Sequence, residues 1–423
     1  MNAAFFRVMM AWVALAALGG CVTAEQWLNS FTVAQKPASK EAPVPDAAPA
    51  TPVDSVHIVD APTSPTTPRA SAPILQTQMP APTQQRAAKV AILVPLSGKN
   101  AEIGKAMLNA AQMAVFDMSA ESFELMPRDT GDKPETATAA ARDAIANGAQ
   151  LIIGPLFATQ APAVKMVTDS AGVSMLTLST DTSLAAPGMF VMGFAPDAQV
   201  ERVVKFAAAQ RLTHYAALVP DTAYGKLVAQ VFRQAVAHYG GTVVDVESYN
   251  PAHGAAKAIH ALAAKQRQIQ ALFLPEGGIE IEKIADQLLS AGFDNRRTHL
   301  LGTGLWDEVD LGRRVRFLDG GWYAASDPTT RQKFVAGYQR TYGAEPPRIA
   351  TLAYDATALA AVLARRGAGY DRGELTNPNG FAGIDGIFRL TAGGLVERGL
   401  AVNEVTAEGD QIIAMAPTTF AGR

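Results

Sequence analysis

The sequence holds one cysteine, Cys21, in 423 residues, so no intrachain disulfide can staple its fold. Neither sign of charge is in excess: 36 Lys+Arg stand against 39 Asp+Glu, for a formal net charge of -3. A chain so balanced has no electrostatic footprint for nucleic acid and no polybasic surface for a membrane. The apolar run Val8 to Leu18 is about half of the ~20 residues that a membrane-spanning helix needs. Catalytic signatures are missing too. The histidines, His57, His214, His238, His253, His260 and His299, include no i, i+4 pair and have no acidic cluster beside them. No G-x-S-x-G elbow, P-loop, S-x-x-K or H-E-x-x-H occurs. Asp129-Thr130-Gly131-Asp132 places two carboxylates in one turn, but it lacks the ligand set of a calcium loop and reads as ordinary Asx-turn chemistry. The expectation is a protein that is not an enzyme and uses no cofactor and no metal.

What is present starts at the amino terminus. Arg7, the apolar run and Gly19-Gly20 read as a secretion signal over residues 1–20. Leu18-Gly19-Gly20-Cys21 resembles the bacterial lipobox, which makes Cys21 the expected lipidation site and leaves no thiol for metal binding or catalysis. Val22, where an Asp would mark inner-membrane retention, points to an outer-membrane lipoprotein facing the periplasm. Residues 21–87 then form the lipidated cysteine and a tether rich in Pro, Ala and Thr, with too few apolar residues for a core. As a flexible coil of about 65 residues it would span roughly 45 Å, and as polyproline II it would approach ~200 Å.

From Lys89 the rhythm is strand and helix in alternation. Lys89–Val94, Phe123–Met126, Leu151–Ile153 and Ser174–Leu178 are unalternating apolar runs, the pattern of strands buried on both faces of a parallel sheet. Glu102–Asp117 and Pro134–Gly148 between them have helical spacing. After a pivot near Met189–Pro196 the pattern restarts with strands His214–Val219, Thr242–Tyr249, Ala271–Leu274 and His299–Leu301. Gly321–Ala325 leads out of this second series into helices Thr330–Tyr342 and Ile349–Arg366. The tail, Ile387–Leu390, Leu395–Val405 and Gln411–Met415, reads as antiparallel strands. The fold class is α/β, with two doubly wound parallel-sheet lobes. In such sheets ligands sit at the carboxyl edge, and the turn Gly154–Gln160 forms one lip of that edge.

Four pieces in order resemble type I periplasmic binding proteins of the leucine/isoleucine/valine class. They are Val90–Gly98, Ile152–Gln160, Asp221-Thr222-Ala223-Tyr224-Gly225 and Leu352-Ala353-Tyr354-Asp355-Ala356. The resemblance implies lobes joined by three crossover segments, with lobe 1 at 88–194 plus about 327–380 and lobe 2 at 195–326 plus about 381–423. The lipobox, the tether and the segment Phe381–Leu390 are similar to those of penicillin-binding protein activators of the LpoA type, although the helical-repeat domain of the best-known form has no counterpart in residues 22–87.

That resemblance implies a lipid-anchored, non-catalytic regulator that binds and activates a bifunctional peptidoglycan synthase. The alternative is a solute-binding lipoprotein that delivers an amino acid or other small polar ligand to an ABC importer. The candidate cleft residues are Ser97, Thr159, Ser179, Thr180 and Thr182 on the first lobe, and Tyr224, Glu276 and Asp307 on the second. The hydroxyls read more readily as helix caps, which Ser and Thr at strand–helix junctions usually provide. The position where amino-acid-binding relatives place an acid for the ligand ammonium holds Gly304 or Leu305, leaving Glu276 or Asp307 as substitutes.

Overall fold

The computed structural model describes residues 87–118, 123–307 and 310–420. The expected signal peptide, the lipidation of Cys21 and the Pro-rich tether lie outside those residues.

The first lobe runs β1 (Ala88–Val94), α1 (Ala101–Asp117), β2 (Phe123–Asp129), α2 (Pro134–Ala146), β3 (Leu151–Ile153), α3 (Ala161–Ala171), β4 (Ser174–Thr177) and β5 (Met189–Val191). The second runs α4 (Pro196–Ala209), β6 (His214–Pro220), α5 (Ala223–His238), β7 (Thr242–Tyr249), α6 (Ala256–Ala264), β8 (Ala271–Phe273), α7 (Gly278–Ser290), β9 (His299–Gly302), the one-turn α8 (Leu311–Arg314) and β10 (Trp322–Ala325). The chain then supplies α9 (Pro328–Tyr342), α10 (Ala350–Arg365), α11 (Arg372–Leu375), β11 (Phe381–Gly383), β12 (Gly386–Leu390), β13 (Val396–Arg398), β14 (Ala401–Glu404) and β15 (Gln411–Ala414).

The first sheet has the order β2-β1-β3-β4-β5, all parallel. The second repeats that order as β7-β6-β8-β9-β10 and adds β14 and β15 antiparallel at its far edge. Because the strands are continuous apolar runs, alternate residues serve opposite cores. Val90, Ile92 and Val94 face the core shared with α1 and α10, while Ala91 and Leu93 face α2 and α3. In the second lobe Ala216 and Leu218 face α6 and α7, and Tyr215, Ala217 and Val219 face α4 and α5. Parallel pairing follows from this two-sided burial. The α/β class with two parallel-sheet lobes is the observed fold.

Three short segments cross between the lobes: 192–195 after β5, 326–327 after β10, and 399–400 between β13 and β14. After the second crossing, α9 and α10 return to the first lobe, and α10 is buried from Ala350 to Leu363. The tail divides differently from the expectation that 381–423 belongs to lobe 2. Strands β11, β12 and β13 form their own antiparallel sheet, and Phe381, Phe388, Leu390 and Val396 join the first lobe's core. Only β14 and β15 extend the second sheet. The single strand read at Leu395–Val405 is therefore broken at Gly399, where a Cβ would stand 2.7 Å from the Ile387 side chain. Met189–Pro196, read as a pivot, contains β5. The helix α4 that follows was not foreseen, although Pro196 opens it and Val200, Val203, Val204 and Ala207 mark its buried face.

One close approach fixes the cleft edge. A Cβ on Gly104 of α1 would lie 1.7 Å from the carbonyl oxygen of Pro95, the residue that follows β1. Gly104→Ala improves helix propensity, yet the forced shift of α1 is expected to lower stability by about 1–3 kcal/mol, measured by urea unfolding.

Candidate functional site

Both sheets have their topological switch points between the first and third strands of the local series, β1/β3 and β6/β8, where the crossover connections leave in opposite directions. The carboxyl edge of the second sheet faces the first lobe, since Asp307 beyond β9 pairs with Arg331 and Arg348 of that lobe.

On the first lobe the edge is built by the turns after β1, β2, β3 and β4. Asp129, the last residue of β2, accepts from the backbone N–H groups of Leu96 at 2.7 Å, Ser97 at 3.2 Å and Gly131 at 2.8 Å. Its slight burial pushes upward, but the Ser97 hydroxyl and these three donors outweigh it, so its carboxyl titrates below the ordinary value. The anion position beside β1 is thus held by the protein's own carboxylate. Asp132 accepts from the Asn100 amide at 2.8 Å. Thr159 is exposed, and its neighbour Gln160 is buried and donates to the carbonyls of Gly131 and Lys133. Ser179 is buried and its hydroxyl accepts from the N–H of Asp181. Asp181 in turn accepts from the N–H and hydroxyl of Ser183, capping a 3₁₀ turn. Thr180 is exposed, and Thr182 hydrogen-bonds Asp197. Ser97 and Ser179 are therefore engaged in turn architecture, although neither caps a helix: Asn100 stands at the start of α1 and Asp181 caps the 3₁₀ turn.

On the second lobe the structure brings together four side chains around the β6/β8 switch point. Tyr249, the last residue of β7, donates its hydroxyl to Glu276 Oε1 at 2.7 Å. Tyr224, in the first turn of α5, lies 3.4 Å from the Thr303 hydroxyl beyond β9. Burial raises the Glu276 carboxyl above its ordinary value; the Tyr249 bond opposes this and the charge of Glu280 adds to it. Burial also raises Tyr224, with the Thr303 bond opposing and Glu276 adding. Among the described residues no cation lies within ion-pair distance of Glu276. Tyr249 and Thr303 were missed in the sequence because an isolated strand-end Tyr and a turn Thr have no spacing signature. The backbone N–H of Gly304, where an acidic side chain would face an ammonium, donates to Gln199 at 2.7 Å.

Asp307 is placed elsewhere, against its expected role as a ligand group. It pairs with Arg331 at 2.8 Å and Arg348 at 3.4 Å, beside the second crossover. Burial raises its carboxyl and the two guanidinium groups oppose this. Asp307→Asn would remove an ion pair between lobes and is expected to cost about 1.5–3 kcal/mol, read as a lower urea midpoint.

This pair is the edge of a larger buried network. Arg348 also reaches Asp385, between β11 and β12, at 2.8 Å, and stacks 4.2 Å over the Phe194 ring in the first crossover. Arg398, at the end of β13 before the third crossover, donates to the Met192 carbonyl at 2.8 Å and lies 3.8 Å from Asp355 of α10. Asp355 accepts from the N–H of Ile384 at 2.7 Å, and a Cβ on Gly383 would meet its Oδ2 at 2.5 Å. Two motifs from the sequence, Leu352–Ala356 and Phe381–Leu390, thus meet in one assembly that touches the first crossover at Met192 and Phe194 and adjoins the third at Arg398. A further cavity of about 210 Å³ lies at the amino end of β4, lined by Thr168, Ser174, Gly188 and Arg372 among others, on the opposite edge of the sheet from the cleft.

No group of three metal-ligating side chains and no helix long and apolar enough to cross a membrane occurs among the described residues. The family model of periplasmic binding proteins matches residues 87–384. A Leu/Ile/Val-binding protein of Rhizobium johnstonii is 25% identical over 241 residues, which cover 51% of this chain and 64% of that protein. An uncharacterised protein of Rickettsia prowazekii is 24% identical over 166 residues, 39% of this chain and 44% of that one. The matches thus span less than two thirds of these relatives' lengths. A solved branched-chain amino acid ABC transporter protein from Rhodospirillum rubrum superposes with a TM-score of 0.69 at 20% identity, covering 77% of this chain and 100% of its own. A substrate-binding protein from Desulfitobacterium hafniense, solved with Leu, gives 0.58 at 18% identity, covering 78% and 100%.

Proposed function

We propose, from the premise that this chain belongs to the periplasmic binding protein family, that it is a non-catalytic solute receptor that closes its two lobes on one small polar ligand. The observation that carries this reading is the group at the second lobe's switch point. A half-buried carboxylate, Glu276, lies with Tyr249, Tyr224 and Thr303 where sheets of this topology take ligands, and among the described residues it has no ion-pair partner. Leaving such a group buried costs free energy that a ligand donor would offset. Relatives described as Leu/Ile/Val-binding or solved with Leu support a cleft ligand and, as partner, an ABC importer. Closure would be a hinge motion about the three crossovers, with the network around Arg348 and Arg398 holding them in register.

The family implies a periplasmic location. Anchoring to the outer membrane through Cys21 is the finer proposal, resting on Leu18–Cys21 and Val22. The same lipobox and the Pro-rich stretch after it favour a second reading, a tethered activator of a bifunctional peptidoglycan synthase, but the relatives named above lend that reading no support.

Thermal unfolding of the full chain against a panel of small metabolites separates the two. A receptor shows a saturable rise in Tm with one member of the panel. A chain that no metabolite stabilises, and that raises glycan polymerisation by a purified synthase, contradicts the receptor reading.

A further inference from the structure

The charges along the two sheet edges are unequal in a way that restricts the ligand. In the first lobe, the N–H groups of Leu96 and Ser97 and the Ser97 hydroxyl, which would suit a ligand carboxylate, are occupied by Asp129. After β4, the Ser179 hydroxyl is engaged by the Asp181 N–H, and the Asp181 carboxylate stands on that turn. In the second lobe, Glu276 has a tyrosine hydroxyl as its partner. The cations nearby are mostly committed: Lys226 to Asp221 at 3.1 Å, and Arg331 and Arg348 to Asp307. Lys99 and Lys133 are exposed on the first-lobe turns that also carry Asp129 and Asp132.

We propose that the solute is an organic cation, an ammonium or guanidinium compound with no carboxylate of its own. The inference rests on the receptor reading above and narrows it. The cation's N–H donors would meet Glu276, with the Tyr224 and Thr303 hydroxyls beside it, and its positive charge would face Asp129 and Asp181 across the cleft. A carboxylate ligand would meet like charge at those two carboxylates, and Arg331 and Arg348 are already committed to Asp307. Charge-assisted hydrogen bonds from a cation to Glu276 are about twice as strong as neutral ones, so that carboxylate should dominate affinity. A cationic solute would also supply the counter-charge that Glu276 does not find among the described residues.

Calorimetric titration of the full chain with 1,4-diaminobutane, butylguanidine, L-leucine and benzoate tests this. The expected result is saturable binding of an amine or guanidine and none of L-leucine or benzoate. Glu276→Gln should then weaken binding about tenfold or more, and Asp129→Asn several-fold, with both variants unfolding within a few degrees of the wild type. Binding of L-leucine or benzoate overturns the cation inference and leaves the receptor reading standing. Cation binding unaffected by both substitutions overturns it as well. If neither these four nor the wider metabolite panel binds, inference and receptor reading fail together.

Discussion

Arg398→Ala is expected to be the most damaging single substitution, lowering stability by about 3–5 kcal/mol. Arg398 is 8% exposed, and the carboxylates it serves, Asp355 and Asp385, are 1% and 0% exposed. Removing the guanidinium deletes the Met192 hydrogen bond and the ring contacts with Phe194 and Phe388, at 5.3 and 5.4 Å. It also removes the ion-pair partner of Asp355 and leaves both buried carboxylates facing Arg348 alone. An uncompensated buried charge is the costly outcome, not the loss of the pair itself. Arg398→Lys keeps the charge but cannot bridge Met192 and Asp355 with one ammonium, so it should fall between wild type and Ala. Chemical denaturation reads both. A drop below 1 kcal/mol for Arg398→Ala would mean that the network is incidental to the hinge.

Asp355→Asn is expected to change how stability depends on pH. Burial and the neighbouring Asp385 push the Asp355 carboxyl from 3.8 up to about 7, while Arg398 and the backbone N–H groups of Ile384 and Asp385 oppose them. The groups facing it are Asp385, Arg398 and Arg348, with Tyr354 and Asp117 beyond. Between those two values the folded chain holds a proton that the unfolded chain has released, so stability falls as pH rises from 4 to 7. A lone group so shifted would contribute on the order of 4 kcal/mol, and sharing the proton with Asp385 makes the slope shallower. Asp385 acts outside this window. Arg348 and Arg398 hold its carboxyl below the ordinary value against burial, so its contribution is lost only as pH drops below 3.8. Asp355→Asn carries no proton to lose. Its unfolding free energy should therefore be flatter than that of wild type from pH 4 to 7, and the difference between the two should grow in favour of the variant as pH rises. Parallel pH profiles would contradict the assignment.

The contrast between these residues and the sequence-derived candidates shows what one sequence can disclose. Strands such as Val90–Val94 were legible because two-sided burial demands unbroken apolar runs, and their order through the chain implied the two lobes. The helix Pro196–Ala209 was overlooked because its mean character is weakly apolar, although its buried valines had the right spacing. The break at Gly399 was invisible, since nothing local tells a continuous strand from one that changes lobes. At the site, residue type was read better than role. Glu276 and Tyr224 stand at the carboxyl edge of the second sheet, whereas Asp307, an expected ligand group, is engaged by two arginines. Those arginines, Arg331 and Arg348, sit 24 and 41 positions further along the chain, and only the return of α9 and α10 to the first lobe brings them near. Long-range charge pairing of this kind leaves no periodicity to detect.

The claim on which the rest depends is that the cleft holds a small molecule through Glu276. Native mass spectrometry of the full chain, after incubation with a small-molecule extract of bacterial cells and desalting, tests it directly. The expected result is one small molecule per chain, retained by wild type and depleted in Glu276→Gln. A bare polypeptide mass for wild type, or equal retention by the variant, would contradict it.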